Sequence, residues 1–133
     1  MNKTNIEYIV TDCAVKLVNE KKFRNLRNLE ALALWKNKDA TIASDSFKDL
    51  ENLKEVTLAY NEIKFIDIKW FVSLTSLQTL VLTSNKIENL DAKTFENSPS
   101  LHTIWLDDNK LTVIPENLFI NNLNMLYIHR VCQ

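Results

Sequence analysis

The sequence contains no glycine, two prolines and two cysteines. Without glycine, the glycine-rich loops that cradle phosphates in nucleotide-binding proteins are excluded. Cys13 and Cys132 are too few for a disulfide framework, and neither belongs to a CxxC or Cys/His cluster of zinc type. Because left-handed turns normally use glycine, with asparagine the next most tolerant residue, we expect turns of one fixed shape closed by asparagine side chains.

Long apolar runs and a strong excess of one charge are also absent. No stretch approaches the roughly 18 apolar residues that cross a bilayer, so no membrane span is expected. The formal net charge is -1, and no run of Lys or Arg exceeds two residues, so nucleic acid is not an expected partner. With 46% hydrophobic and 25% charged residues, the 133 residues fit a single globular domain.

The chain does contain an internal repeat of 24 residues, which starts at Leu29, Leu53, Leu77 and Leu101. Apolar residues recur at positions 1, 4, 6 and 14 of each copy, and position 19 is always phenylalanine. Position 9 is Asn37, Asn61, Asn85 and Asn109. Extending the pattern backwards places a degenerate repeat at residues 5–28, with Tyr8 in the column of Leu32 and Cys13 in the asparagine column.

We therefore predict one domain, residues 1–133, with repeats at 5–28, 29–52, 53–76, 77–100 and 101–122 and a partial repeat at 123–133. The period breaks after Phe119. The last strand starts at Leu123 if the fifth repeat has 22 residues and at Met125 if the count stays strict, and both registers stay open.

The columns have a physical explanation. Alternating apolar residues at positions 4 and 6 predict a short strand that stacks in parallel on the next, roughly 4.8 Å away, with one face in the core. Each fully buried Leu or Phe stabilises the stack by roughly 1.5–3 kcal/mol. An asparagine at position 9 can satisfy the buried backbone where the chain leaves the strand, so these residues are interpreted as structural.

Asp39 interrupts the apolar column of position 11, which predicts a local loop over residues 35–40. Trp70 is interpreted as a structural or flank-exposed residue.

The pattern LxxLxLxxN, present as LQTLVLTSN from Leu77 to Asn85 and LHTIWLDDN from Leu101 to Asn109, resembles the leucine-rich-repeat family. The resemblance implies an α/β solenoid, a right-handed horseshoe with a parallel sheet on its concave face and irregular or short-helical convex arms. The 24-residue form is similar to the subtype found in Toll-like receptors and secreted insect immune proteins. It implies a protein-binding module of extracellular immune or receptor type.

The strand positions that point away from the core have little structural obligation and are the candidate ligand-binding surface. Exposed aromatic residues are enriched among binding hot spots, and Trp105 is the strongest candidate. Val81 and Tyr127 are its neighbours in the same column, with Asp107, Asp108 and His129 beside them. Trp35 and Tyr60 form a second cluster. The alternative is that these are ordinary strand aromatics packed on each other.

Asp107 and His129 would be adjacent in one column, as in half of an acid–base device. No Ser or Cys lies beside His129, and a metal site needs a third ligand that the pattern does not supply. We therefore predict no enzymatic activity, no cofactor and no metal, with a fortuitous divalent-ion site as the alternative.

A protein ligand is the expected partner. The sequon Asn2-Lys3-Thr4 and the family subtype favour an extracellular location, with an intracellular or bacterial interaction scaffold as the alternative. Cysteine-rich caps are absent, so open solenoid ends or Cys132 predict self-association or a fragment of a longer protein. Cys13 is interpreted as a small buried thiol. It lies about five repeats from Cys132, too far for a disulfide within one chain.

Overall fold

A computed structural model describes residues 8–11, 17–18, 23–37 and 41–118, the first two segments as backbone only. In chain order the elements are β1 (Tyr8–Thr11), β2 (Leu17–Val18), β3 (Ala31–Leu34), β4 (Thr41–Ile42), β5 (Glu55–Thr57), a 3₁₀ helix (Ile68–Phe71), β6 (Thr79–Val81) and β7 (Thr103–Trp105). The main sheet is parallel with the order β1-β3-β5-β6-β7, and β2 pairs with β4 in a second, two-stranded sheet. The predicted parallel solenoid is confirmed.

The strand register follows the 24-residue repeat in three of the four pairs of the main sheet. Ala31 pairs with Glu55, Glu55 with Thr79, and Thr79 with Thr103. In the first pair, however, Tyr8 lies opposite Ala31, an offset of 23, so the predicted pairing of Tyr8 with Leu32 is wrong. The offset returns to 24 between β2 and β4. The offset changes from 23 to 24 because the connection from β1 to β2 is one residue shorter than the connection from β3 to β4.

The core lies between the sheet and the return arms. The residues at positions 1, 4 and 6 of the third repeat, Leu53, Val56 and Leu58, are fully buried. On the convex side Phe71 and Phe95 pack edge to face with ring centroids 5.3 Å apart. Each of these phenylalanines also accepts a backbone hydrogen bond at its carbonyl from the residue three positions later. The phenylalanine column therefore both fills the core and starts the turn into the next strand; Phe119 lies outside the described residues.

Apart from β2, β4 and the 3₁₀ helix, the described parts of the return arms are irregular, in agreement with the predicted irregular or short-helical arms. Asp67 caps that helix, because its Oδ1 accepts a hydrogen bond from the Lys69 N–H at 2.9 Å. The Ser44 hydroxyl of the preceding repeat donates to the other carboxylate oxygen. The Ser44 hydrogen bond first, and then the Lys69 N–H, hold the pKa of Asp67 below its usual range. Asp67 thus joins two repeats on the convex side.

The position 9 asparagines form the predicted structural ladder. Asn85 Oδ1 accepts from the backbone N–H of Asn61 at 3.1 Å, and Asn85 Nδ2 donates to the carbonyl of Leu58 at 2.8 Å. Asn61 makes the same two bonds to the preceding repeat, with Asn37 N–H and Leu34 O. These side chains satisfy backbone groups that the turn would otherwise bury without partners.

The left-handed residues of the turn are not the asparagines. Positive φ falls one position earlier, on Lys36, Tyr60, Ser84 and Asp108, with φ between 55° and 62°. The expectation that asparagine side chains close these turns is confirmed, and the left-handed backbone itself falls on position 8. A left-handed non-glycine residue costs roughly 1–2 kcal/mol, which the hydrogen bonds of the adjacent asparagine offset.

Candidate functional site

The outward face of the main sheet extends beyond the strands. Leu82 N–H donates to the Trp105 carbonyl at 2.8 Å, and two residues later Ser84 N–H donates to the Asp107 carbonyl at 3.0 Å. The same backbone bonds join Leu58 to Val81 and Tyr60 to Thr83. Positions 7 and 8 of neighbouring repeats are therefore held in register, and the sequence-predicted site residues at these positions lie on one ordered surface.

We call Val81, Trp105, Asp107 and Asp108 the Trp105 patch. Val81 and Trp105 are register partners in β6 and β7. Trp105 is 37% exposed, and Val81 is half-buried beside it. Asp107 and Asp108 follow Trp105 along the chain, and their carboxylates accept hydrogen bonds from Thr83 and Ser84, in the repeat that contains Val81. The patch combines an apolar centre with two carboxylates at its margin.

Both carboxylates are oriented by hydroxyl groups of the preceding repeat. Thr83 Oγ1 donates to Asp107 Oδ1 at 2.7 Å, and Ser84 Oγ donates to Asp108 Oδ2 at 2.7 Å. These lengths are typical of hydrogen bonds to a charged acceptor. The sequence analysis did not select Thr83 or Ser84. The sequence does contain a signal for these two residues, because a residue with a hydroxyl group lies 24 positions before each aspartate.

Trp35, Ala59 and Tyr60 form the second cluster, the Trp35 patch. Trp35 is 40% exposed and Tyr60 46% exposed, whereas Ala59 is buried between the two repeats. Lys36 N–H donates to the Ala59 carbonyl at 3.4 Å, which holds the two repeats together at this point. Three strand steps separate Trp35 from Trp105, a distance of about 14 Å. The two tryptophans therefore lie on separate parts of the sheet, whereas Tyr60 and Val81 belong to adjacent repeats, which the hydrogen bond from Tyr60 N–H to the Thr83 carbonyl joins.

Several predicted features lie outside the described residues: Tyr127, His129, both cysteines, Asp39 and the sequon. The pairing of Asp107 with His129 therefore stays a prediction. Over residues 23–37 and 41–118, no group of three or more His, Cys, Asp or Glu side chains is arranged to hold a metal ion. In the same part of the chain, no helix has the length and apolar character needed to span a membrane.

Trp70 is buried, so of its two interpretations the structural one fits and the flank-exposed one does not. Its ring packs against Phe71 with centroids 6.3 Å apart. Its indole Nε1 is the one buried side-chain donor without a hydrogen-bond partner among the residues whose side chains the structure describes. No pattern in the sequence indicates this unpaired donor.

A family profile described as leucine rich repeat matches residues 27–87 and 75–130. No curated protein matches the chain at a significant level. The chain is similar to the solved leucine-rich repeat domain of APL1, with a TM-score of 0.86 and 19% identity over 96% of this chain and 34% of that one.

It is also similar to a chain of the TLR13–ssRNA13 complex, with a TM-score of 0.81 and 25% identity over 88% of this chain and 17% of that one. For the Toll–Spatzle complex of Drosophila, the TM-score is 0.74 and the identity 22%, over 90% of this chain and 16% of that one. The chain thus spans about a third or less of the length of each of these solved chains. The likenesses under 25% identity show the shared solenoid fold.

Proposed function

Because the chain belongs to the leucine-rich-repeat family, we propose that it is a recognition module that binds a protein partner on the concave sheet at the Trp105 patch. The observation that supports this most is the exposed Trp105 ring, which has Val81 as its register partner and is followed along the chain by two carboxylates that hydroxyl groups hold in position. Exposed aromatic residues surrounded by polar groups are typical of interface hot spots.

The patch suggests the chemistry of the partner surface. Val81 and Trp105 would cover an apolar side chain, since that contact removes the most apolar area from water. Asp107 and Asp108 each accept one hydroxyl hydrogen bond and retain further acceptor positions. A partner with an apolar residue flanked by Lys or Arg fits this arrangement.

The same two carboxylates argue against a phosphate backbone as the ligand at this patch, because like charges repel at close range. The solved TLR13 relative is in complex with single-stranded RNA, and that ligand belongs to that protein. For this chain a protein ligand is the better match. No catalytic role is proposed.

We also propose an extracellular location with a role in immunity. The Toll–Spatzle complex, whose solved chain has the same fold as this protein, is described as a hub in Drosophila development and innate immunity. That likeness supports the proposed role in immunity. An intracellular interaction scaffold is the competing proposal, and the location of the full-length protein in its source cells separates the two.

A capture experiment tests the proposed function. The immobilised wild-type chain is exposed to extracellular fluid beside Trp105→Ala and beside Val113→Ala, which changes an exposed apolar residue outside the concave strands. We expect one protein to be retained by the wild type and by Val113→Ala and lost with Trp105→Ala. Retention by all three would show that the concave patch is not the site.

A further inference from the structure

Each of the second to fifth repeats carries one apolar side chain larger than alanine on the outward face of the sheet. In chain order these are Trp35, Tyr60, Val81 and Trp105. The three aromatic side chains are exposed, and Val81 is half-buried. We call these four side chains the apolar path, because together they cross the sheet from the second repeat to the fifth. A partner that covers all of them has to lie across the strands.

The length of the apolar path distinguishes a helix from an extended segment as the partner. Trp35 and Trp105 are separated by about 14 Å across the strands and by two positions along them, about 6.6 Å, which combine to about 16 Å. An extended segment presents every second residue to one face, so its side chains fall at about 13 Å and about 20 Å. An α-helix returns to the same face after about eleven residues, or three turns, which is about 16 Å. A helix therefore matches the apolar path better.

The charges beside the apolar path differ between its two ends. In the fifth repeat, Asp107 and Asp108 each accept one hydroxyl hydrogen bond and retain further acceptor positions. In the second repeat, Lys36 is exposed next to Trp35. The other Lys, Asp and Glu side chains on this face of the second to fifth repeats lie at positions 2 and 3, toward the opposite ends of the strands: Glu30, Lys54 and Glu55. The path thus has an acidic end and a basic end.

We propose that the bound segment of the protein partner is an amphipathic α-helix that lies along the apolar path, with its basic C-terminal end over Asp107 and Asp108 and its acidic N-terminal end over Lys36. This inference rests on the proposed function, because it uses the same concave site. Apolar residues at i, i+4, i+7 and i+11 of the helix meet the four repeats in turn. An acidic N-terminal end and a basic C-terminal end are also the arrangement that the helix dipole favours.

The test uses a synthetic alanine-based peptide of about 18 residues, with Leu at i, i+4, i+7 and i+11, Glu residues at its N-terminal end and Lys residues at its C-terminal end. One control peptide has the same composition with its Leu residues dispersed around the helix. In the other control, Gln replaces the Lys residues. Circular dichroism checks that all three peptides have similar helix content.

Binding is followed by ¹⁵N NMR of the indole N–H resonances, each assigned by its loss in a Trp→Phe variant. We expect the Trp35 and Trp105 resonances to shift with one shared dissociation constant, because a single helix covers both rings. The resonance of the buried Trp70 should move little. The designed peptide should bind at least about fivefold more tightly than either control.

Asp107→Asn combined with Asp108→Asn should weaken binding of the designed peptide at least about fivefold and remove its advantage over the Gln control. Glu88→Gln combined with Glu116→Gln is the matched control. It neutralises two exposed carboxylates that lie on the return arms, after the strands, and it should leave the affinity for the peptide unchanged.

A shift of the Trp105 resonance without a shift of the Trp35 resonance would overturn the helix that spans four repeats, and binding at the Trp105 patch would stand. The inference is also overturned if neither resonance shifts, if the peptide with dispersed Leu binds equally well, or if both pairs of substitutions have the same effect. Failure of the proposed function is seen separately, as retention of the captured protein by Trp105→Ala.

Discussion

The Thr83 hydroxyl donates a hydrogen bond to Asp107 Oδ1 at 2.7 Å, across the boundary between two repeats. The two residues occupy the same position of successive repeats, 24 residues apart. The relationship recurs one position later between Ser84 and Asp108. Because backbone hydrogen bonds hold these positions in register, the two carboxylates are fixed acceptors next to Trp105.

Thr83→Val keeps the shape of the side chain and removes the donor to Asp107. We expect the free energy of unfolding to change by less than about 1 kcal/mol and partner affinity to fall about three- to tenfold, because the carboxylate loses its orientation. Thr57→Val, on the same sheet face, is the control for affinity measured by titration calorimetry. An equal loss in both variants would show that the hydroxyl of Thr83 has no specific role.

Asn85→Ala removes acceptors for two backbone N–H groups, those of Asn61 and Ile63, and a donor to the Leu58 and Leu82 carbonyls. Since these groups are buried, we expect a loss of about 2–4 kcal/mol in the free energy of unfolding, measured in urea. Asn52→Ala, which removes one exposed hydrogen bond to Arg27 O, should cost less than about 1 kcal/mol. Similar costs for both would contradict the structural role of the asparagine ladder.

Phe71→Ala should lower the free energy of unfolding by about 3–5 kcal/mol, because the ring is fully buried against Phe95. Phe65→Ala makes the same chemical change at an exposed ring and should change stability by less than about 0.5 kcal/mol. Thermal and urea unfolding of the two variants provide the comparison. A neutral Phe71→Ala would refute the phenylalanine column as part of the core.

Ser44→Ala should alter the pH dependence of stability through Asp67. The pKa of Asp67 is lowered in the folded chain, mainly by the Ser44 hydroxyl, so its contribution is present above the unfolded value of about 3.9 and is lost as the pH falls through the folded value. The wild type should therefore be more stable than Ser44→Ala at pH 7, by less than about 1 kcal/mol because Asp67 is only half-buried and water screens its charge.

The difference between the wild type and Ser44→Ala should shrink in acid, as Asp67 becomes protonated. Urea unfolding from pH 7 to pH 2 measures it. Asp91 is a useful comparison, since it accepts a hydrogen bond from Lys93 N–H as Asp67 does from Lys69 N–H. A difference that stays constant across this range would exclude Asp67 as its cause.

The sequence was sufficient to predict the solenoid because each column has a simple cause. Apolar residues alternate in strands, and Asn61, Asn85 and Asn109 each donate to the backbone carbonyl at position 6 of the preceding repeat. The register of β1 was not predictable. The connection between β1 and β2 is one residue shorter than in the next repeat, and the apolar residues of β1 fit the repeat pattern in either of two registers. The left-handed turn at Tyr60 and Ser84 was missed because these residue types do not signal positive φ.

The candidate site was predictable in part. The alternation of strand residues placed Val81 beside Trp105 correctly. The orientation of Asp107 and Asp108 depends on side-chain rotamers of Thr83 and Ser84, which a column pattern does not specify. The unpaired Nε1 of Trp70 and the exposure of Phe65 depend on packing between two particular repeats, and no local sequence signal reports that packing.

The central claim, binding at the Trp105 patch, is tested most directly by titration calorimetry of the purified partner against the wild type and Trp105→Ala. We predict that Trp105→Ala unfolds at nearly the same urea concentration as the wild type but binds at least about fivefold more weakly, a loss of about 1 kcal/mol or more. Unchanged affinity in a folded Trp105→Ala variant would contradict the account.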